Sequence, residues 1–119
     1  MFQGTMYGSV TYNGKVYYYD ILVFPDGRVE PRHKYHSNSL FATTHEITKD
    51  EIKVLLSSNP QVLIIGTGQE GNASLTEDAE LEIRKARIKA IVGPTPQAIE
   101  RYNQIVNNRK VAALIHVTD

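Results

Sequence analysis

Apolar positions in the first quarter of the chain fall in β-rich stretches broken by turn residues, and beyond it they fall in short apolar runs separated by helical periodicity. From Thr5 to Pro31 the residues are rich in Tyr, Val, Ile and Thr and are broken at Asn13-Gly14 and Pro25-Asp26-Gly27. Asn-Gly tolerates the positive φ angles of a two-residue hairpin turn, so strands near 5–12 and 15–24 are expected to pair. Proline followed by Asp-Gly sets the next reversal into a strand near 28–32, giving a three-stranded antiparallel meander over residues 1–32. In the middle strand Tyr17, Tyr19, Ile21 and Val23 share one face and Val16, Tyr18, Leu22 and Phe24 the other, with Asp20 interrupting the second set. Apolar residues on both faces mean a strand covered on both sides, or one face reserved for a partner.

Residues 33–46 are polar and irregular, with His33, His36, Ser37, Asn38, Ser39, Thr43, Thr44 and His45, and read as one long surface loop. Beyond it, residues 47–119 read as an α/β layer with three helices placed by their caps. Thr48 with Glu51 has the spacing of a capping box, and Ile47 with Ile52 that of a hydrophobic staple, ahead of a stripe of Ile52, Leu55 and Leu56. A second helix starts at Ser74 or Thr76 and buries Leu75, Ala79, Ile83 and Ala86. A third opens at Pro94-Thr95-Pro96, with Thr95 as cap and Pro96 at the first helical position, and presents Ala98, Ile99, Tyr102, Ile105 and Val106. Between the helices run Val62–Ile65, Ile88–Val92 and Val111–Val117, expected as buried parallel strands. The fold class is therefore α/β in three layers, with the meander extending the sheet or packing as a second small one.

Length and composition narrow the function classes. A chain of 119 residues has room for one domain and one core. Thirteen basic and thirteen acidic residues cancel, so no global field draws it to nucleic acid or an anionic membrane. No cysteine is present, which removes disulfides, thiolate metal sites and cysteine nucleophiles. The longest apolar run, Val111–Ile115, is far below the roughly 20 residues of a membrane span, and Met1–Gly4 has no signal-peptide pattern. A cytoplasmic protein with no membrane or nucleic-acid partner is expected.

Three segments carry a resemblance: Leu63-Ile64-Ile65-Gly66-Thr67-Gly68, Ala98-Ile99-Glu100-Arg101-Tyr102-Asn103 and Val111 to Thr118. With Gly8, Asp20 and Thr44-His45 they resemble a small single-domain family whose named relatives include the adipogenesis-associated domain-containing protein of animals and a mitochondrial respiratory complex I assembly factor. The chain is most similar to the compact archaeal and bacterial members, and it lacks the tryptophan that animal relatives carry within residues 25–36. The resemblance implies a β meander packed against an α/β/α unit, no established reaction, and action through protein partners. It also marks Tyr102 and Asn103 as structural positions.

Candidate chemistry gathers at two places. Gly66-Thr67-Gly68 should lie at the carboxyl edge of the sheet, and the loop to Asn72 could hold an anion in a cleft, or the glycines could serve only the chain reversal. His45 and His116 could converge as a base or metal ligands, oriented by Asp20, Glu46 or Tyr102, or could simply hydrogen-bond neighbouring groups. There is no His-Glu-x-x-His, His-x-His, phosphate-loop or Gly-x-Ser-x-Gly motif, so no metal, cofactor or catalytic residue is assigned. Arg84, Lys85, Arg87 and Lys89, with Arg32, His33 and Lys34, are the densest basic positions, and the run closing the second helix suits its carbonyl end better than nucleic acid. Two functions remain open. One is an accessory or assembly-type domain, possible as a homodimer through meander strands, that binds another protein by its tyrosine-rich meander or the long loop. The other is a small-ligand or anion binder, or weak enzyme, using the Gly66–Asn72 cleft.

Overall fold

Turn chemistry places the first strands in the computed structural model, which describes residues 1–36 and 43–119; Ser37, Asn38 and Ser39 of the polar loop lie outside the described residues. Strand β1 (Phe2–Met6) turns at Tyr7-Gly8 into β2 (Ser9–Tyr12), and β2 turns at Asn13-Gly14 into β3 (Lys15–Tyr17). Asn13 and Gly14 have φ of 49° and 80°, the left-handed pair that a two-residue hairpin needs. These strands form a separate antiparallel sheet in the order β1-β2-β3.

The long strand expected over residues 15–24 is instead two strands in two sheets. The chain leaves the first sheet at Tyr18–Asp20 and re-enters as β4 (Ile21–Val23), which pairs with β5 (Val29–Pro31) across the Pro25-Asp26-Gly27 turn. Asp20 causes the break: its carboxylate accepts the Val117 N–H at 2.8 Å, and its carbonyl accepts the Arg32 N–H at 2.9 Å. A short 3-10 turn, Arg32–Lys34, follows.

The remaining elements are β6 (Glu46–Ile47), α1 (Lys49–Leu56), β7 (Val62–Thr67), β8 (Ser74–Leu75), α2 (Glu77–Ala86), β9 (Lys89–Gly93), α3 (Thr95–Ile105) and β10 (Val111–His116). The main sheet has five strands in the order β5-β4-β10-β7-β9, with β10 parallel to β7, β7 parallel to β9, and β4 antiparallel to β10. Alternation divides its side chains cleanly. Ile21, Val23, Val62, Ile64, Val111, Ala113 and Ile115 pack on α3 and the small sheet, while Leu22, Leu63, Ile65, Ala112 and Leu114 pack on α1 and α2. The fold is thus mixed α/β in three layers.

Thr48 caps α1 with the Glu51 carboxylate accepting its N–H at 3.0 Å, and Ile47 and Ile52 are both fully buried as a staple requires. Three local expectations change. Ser74 does not cap α2; it lies in β8, paired in parallel with Glu46, and Thr76 caps the helix by accepting the Ala79 N–H. Thr95 lies inside α3, because its hydroxyl points into the sheet rather than along the helix. Strand β9 is an edge strand with Lys89 exposed, since nothing pairs beyond it among the described residues.

Tyr102 and Asn103 tie α3 to the small sheet. The Asn103 side chain accepts the Phe2 N–H at 2.9 Å and donates to the Phe2 carbonyl at 2.8 Å, a clamp on both main-chain groups of one β1 residue. The Tyr102 hydroxyl shares a 3.0 Å hydrogen bond with that of Tyr12, and the Phe2 ring lies within 5 Å of both rings. Burial, and then the bond to Tyr12, raise the Tyr102 phenol far above its ordinary pKa, so it stays neutral.

Candidate functional site

Strand register builds the site. Ile115 pairs with Ile21, and Ile21 pairs with Pro31, so the next residues outward on three adjacent strands are His116, Asp20 and Arg32. Thr67 pairs with His116 on the far side. The result is a row of polar side chains across one end of the sheet. His116 Nδ1 donates to Asp20 Oδ2 at 2.7 Å, and Arg32 Nη1 donates to the same oxygen at 2.8 Å.

Arg32 is a buried centre and not the surface cation that its place in the basic cluster suggested. It is 1% exposed, and the Glu51 beneath it is fully buried. Glu51 accepts from both Arg32 Nε and, at 3.2 Å, Arg32 Nη2. The Thr44 and Glu46 carbonyls take further guanidinium protons at 2.8 Å each. His36 Nδ1 reaches Glu51 Oε1 at 2.7 Å. Burial disfavours the Glu51 charge, but hydrogen bonds and the field of Arg32 outweigh it and hold the carboxyl below its usual range. Asp20 behaves alike: burial opposes ionisation, and His116, the Val117 N–H and Arg32 together lower its pKa. The one sequence signal for this burial is Glu51 itself, four residues before the core residue Leu55 on the apolar stripe of α1.

The Gly66–Asn72 loop is brought beside this row but is no open cleft. The segment after β10 lies across it: the N–H groups of Gln69, Glu70 and Asn72 donate to main-chain oxygens of Thr118 and Asp119 at 2.7–3.3 Å. The Gly68 N–H donates to Thr95 Oγ1 at 2.9 Å, and that hydroxyl donates to the His116 carbonyl at 2.6 Å. Gly68 has a φ of +107°, and a Cβ there would lie 2.5 Å from Asp119 and 2.9 Å from the His116 ring. Gly66 lies under Thr95, and Thr67 is buried with its carbonyl taken by the Ala73 N–H.

His45 and His116 do meet, with ring centres 5.6 Å apart and planes nearly perpendicular. Their carboxylate partners differ. Asp20 orients His116, and Asp119 faces His45 Nε2 at 2.7 Å, a bond that keeps the Asp119 carboxyl below its ordinary range. Glu46 is exposed and contributes only its carbonyl to Arg32, and Tyr102 sits in the core on the other face of the sheet.

One concavity adjoins the row and a second lies over the neighbouring small sheet. A pocket of about 260 Å³ lies between the row and Tyr18 and Tyr19, with Thr44, Thr118 and Gly8 in its walls. A shallower groove of about 590 Å³ runs over the small sheet past Met6, Tyr7, Val16 and Tyr18.

Fold and site together define a three-layer α/β protein with a buried ionic row at one end of its central sheet. The chain belongs to the family described as "Protein of unknown function (DUF498/DUF598)", whose model matches residues 2–116. It is similar over its whole length to the structure of MT938, at 40% identity over 98% of that chain and a TM-score of 0.83. It is also similar to the conserved hypothetical protein PH1505 from Pyrococcus horikoshii OT3, at 28% identity, covering 100% of this chain and 99% of that one with a TM-score of 0.90. An outer membrane protein from Bartonella henselae, 24% identical with each chain fully covered, shares the fold with a TM-score of 0.73. No curated protein matches the chain.

Proposed function

We propose that this protein is an accessory domain that binds an uncharged, apolar segment of a protein partner on its small sheet. One observation carries the reading. Of the eight large apolar side chains exposed among the described residues, five (Met6, Tyr7, Val16, Tyr18 and Tyr19) fall in the stretch from β1 to the break at Asp20. Met6, Tyr7 and Tyr18 are 73%, 68% and 75% exposed, and such clustering marks an interaction surface where scattered apolar residues do not. Tyrosine suits that role, offering a large apolar face with a polar tip at low entropy cost. The groove through the patch is lined by Gly4 to Ser9, Thr11, Val16 and Tyr18 without one charged side chain, so a charged partner segment would lose its hydration there without compensation.

The double variant Met6→Asp with Tyr18→Asp tests this, since both side chains are exposed and the fold should tolerate the change. A partner retained by the wild-type protein and then purified should bind at least about tenfold more weakly to the variant, a cost of about 1.4 kcal/mol. Its addition should slow amide exchange in residues 4–19. Equal affinity for both proteins, or protection elsewhere, would sink the reading. Light scattering of the protein alone decides whether a second copy is the occupant.

A second reading, a small-molecule binder, is favoured by the pocket of about 260 Å³ between Tyr19 and the ionic row. It moves the ligand from the Gly66–Asn72 loop to this pocket. A ligand at about 100 times its Kd adds about 2.7 kcal/mol, which raises the Tm of a domain this size by several degrees. The shift should be lost in Tyr19→Ala; a broad metabolite panel that moves nothing removes this reading.

A further inference from the structure

We propose that His45, His116 and Asp119 form a site for one divalent transition-metal ion of the zinc class, with Asp20 as the residue that positions His116. The inference goes beyond both readings above and depends on neither. One donor atom from each of the three residues lies within 4.8 Å of the other two. Around a tetrahedral ion, metal–donor bonds of about 2.0 to 2.1 Å set donors about 3.3 Å apart, so a modest closing of the trio suffices. The movable members are the exposed ones: the His45 and Asp119 side chains are 46% and 36% exposed, and His116 is fixed at 1%.

The hydrogen bonds behind His116 are independent of that proximity. His116 donates from Nδ1 to Asp20, whose other oxygen takes the Val117 N–H and which also accepts from Arg32 Nη1 at 2.8 Å. With Nδ1 turned to Asp20, Nε2 is the nitrogen left to face the trio, 3.1 Å from the Thr118 hydroxyl. A carboxylate behind the distal nitrogen is the arrangement that orients metal-bound histidines and raises their basicity. Gly68 adds a third point, because any Cβ there would occupy the space that lets Asp119 approach His116. On binding, the ion replaces the hydrogen bond between His45 and Asp119, the Thr118 hydroxyl rotates away, and water completes the coordination sphere. Two imidazoles and one carboxylate select zinc, cobalt or nickel over magnesium or calcium, which require oxygen cages.

The test is calorimetric titration of zinc chloride into untagged, chelator-stripped protein, with cobalt chloride as an optical probe. One ion per chain and visible cobalt bands are expected. His45→Ala and Asp119→Ala, both at exposed side chains, should each weaken binding at least about tenfold, and Asp20→Asn should weaken it about 10- to 100-fold through His116 alone. His33→Ala, outside the trio, should leave it unchanged. Absence of binding overturns the proposal, as does zinc affinity unaltered in His45→Ala and Asp119→Ala.

Discussion

Arg32→Met will lower the unfolding free energy by about 3 to 5 kcal/mol, because it strands the buried Glu51 carboxylate without its counter-charge. That is a large part of the roughly 5 to 15 kcal/mol that keeps a domain of this size folded. Glu51 is fully buried and Arg32 is 1% exposed, so solvent screens little of the loss. Arg32 also serves Asp20 and the Thr44 and Glu46 carbonyls, so adding Glu51→Leu should recover only part of the stability. Acid supplies the signature. In the wild-type protein the Glu51 and Asp20 pKa values lie below their ordinary 4.5 and 3.8, so their contribution is complete above those values and fades as pH falls through them toward the folded ones. Without Arg32, burial dominates at Glu51 and raises its pKa, so the variant is penalised at neutral pH and relieved by acid. Urea unfolding from about pH 7 to about pH 3 should therefore show the gap between the two proteins closing. A gap independent of pH would mean that the loss comes from packing and not from charge.

The second large effect is at Gly68. Gly68→Ala should cost about 2 to 5 kcal/mol, combining left-handed backbone strain with overpacking against Asp119 and His116. Gly93→Ala, where a Cβ meets nothing within 4 Å and φ is not positive, should stay within about 0.5 kcal/mol of wild type. Chemical denaturation of the two variants checks the contrast, and near-equal stabilities would refute the close approach at Gly68. Gly68→Ala should also weaken the zinc binding proposed above, since it forces Asp119 away from His116.

Much of the architecture was legible wherever the signal is local. Asn13-Gly14, Pro25-Asp26-Gly27, the Thr48–Glu51 cap and the apolar runs at Val62 and Val111 each fix their own neighbourhood, and each sits where the pattern puts it. What escaped depends on partners distant in sequence. Tyr17–Phe24 is apolar on both faces with Asp20 the single interruption, and nothing local says that this interruption is a change of sheets; the Val117 N–H, 97 residues away, decides that. Ser74 has the right neighbours for a cap, yet its N–H is taken by the His45 carbonyl in a two-residue strand. His45, His116 and Asp20 could be named from the sequence, but Arg32 and Glu51 read as a surface cation and a helix cap. Their burial follows from strand order, which periodicity does not encode. The sequence shows the Gly66–Asn72 loop as an open edge because the crossing of Val117–Asp119 over it is equally non-local.

The position of β10 has a consequence for how the molecule comes into being. Its six residues, Val111–His116, pair with β4 on one side and β7 on the other, so the last strand in the chain is the middle of the main sheet. While the ribosome is still adding α3, the apolar faces of β4 and β7 have no neighbour between them, and the sheet stays in two unjoined parts. A nascent chain stalled before Val111 is therefore not a shorter version of this protein but an unzipped one, with two sticky strand edges on offer to chaperones, proteases or other copies of itself.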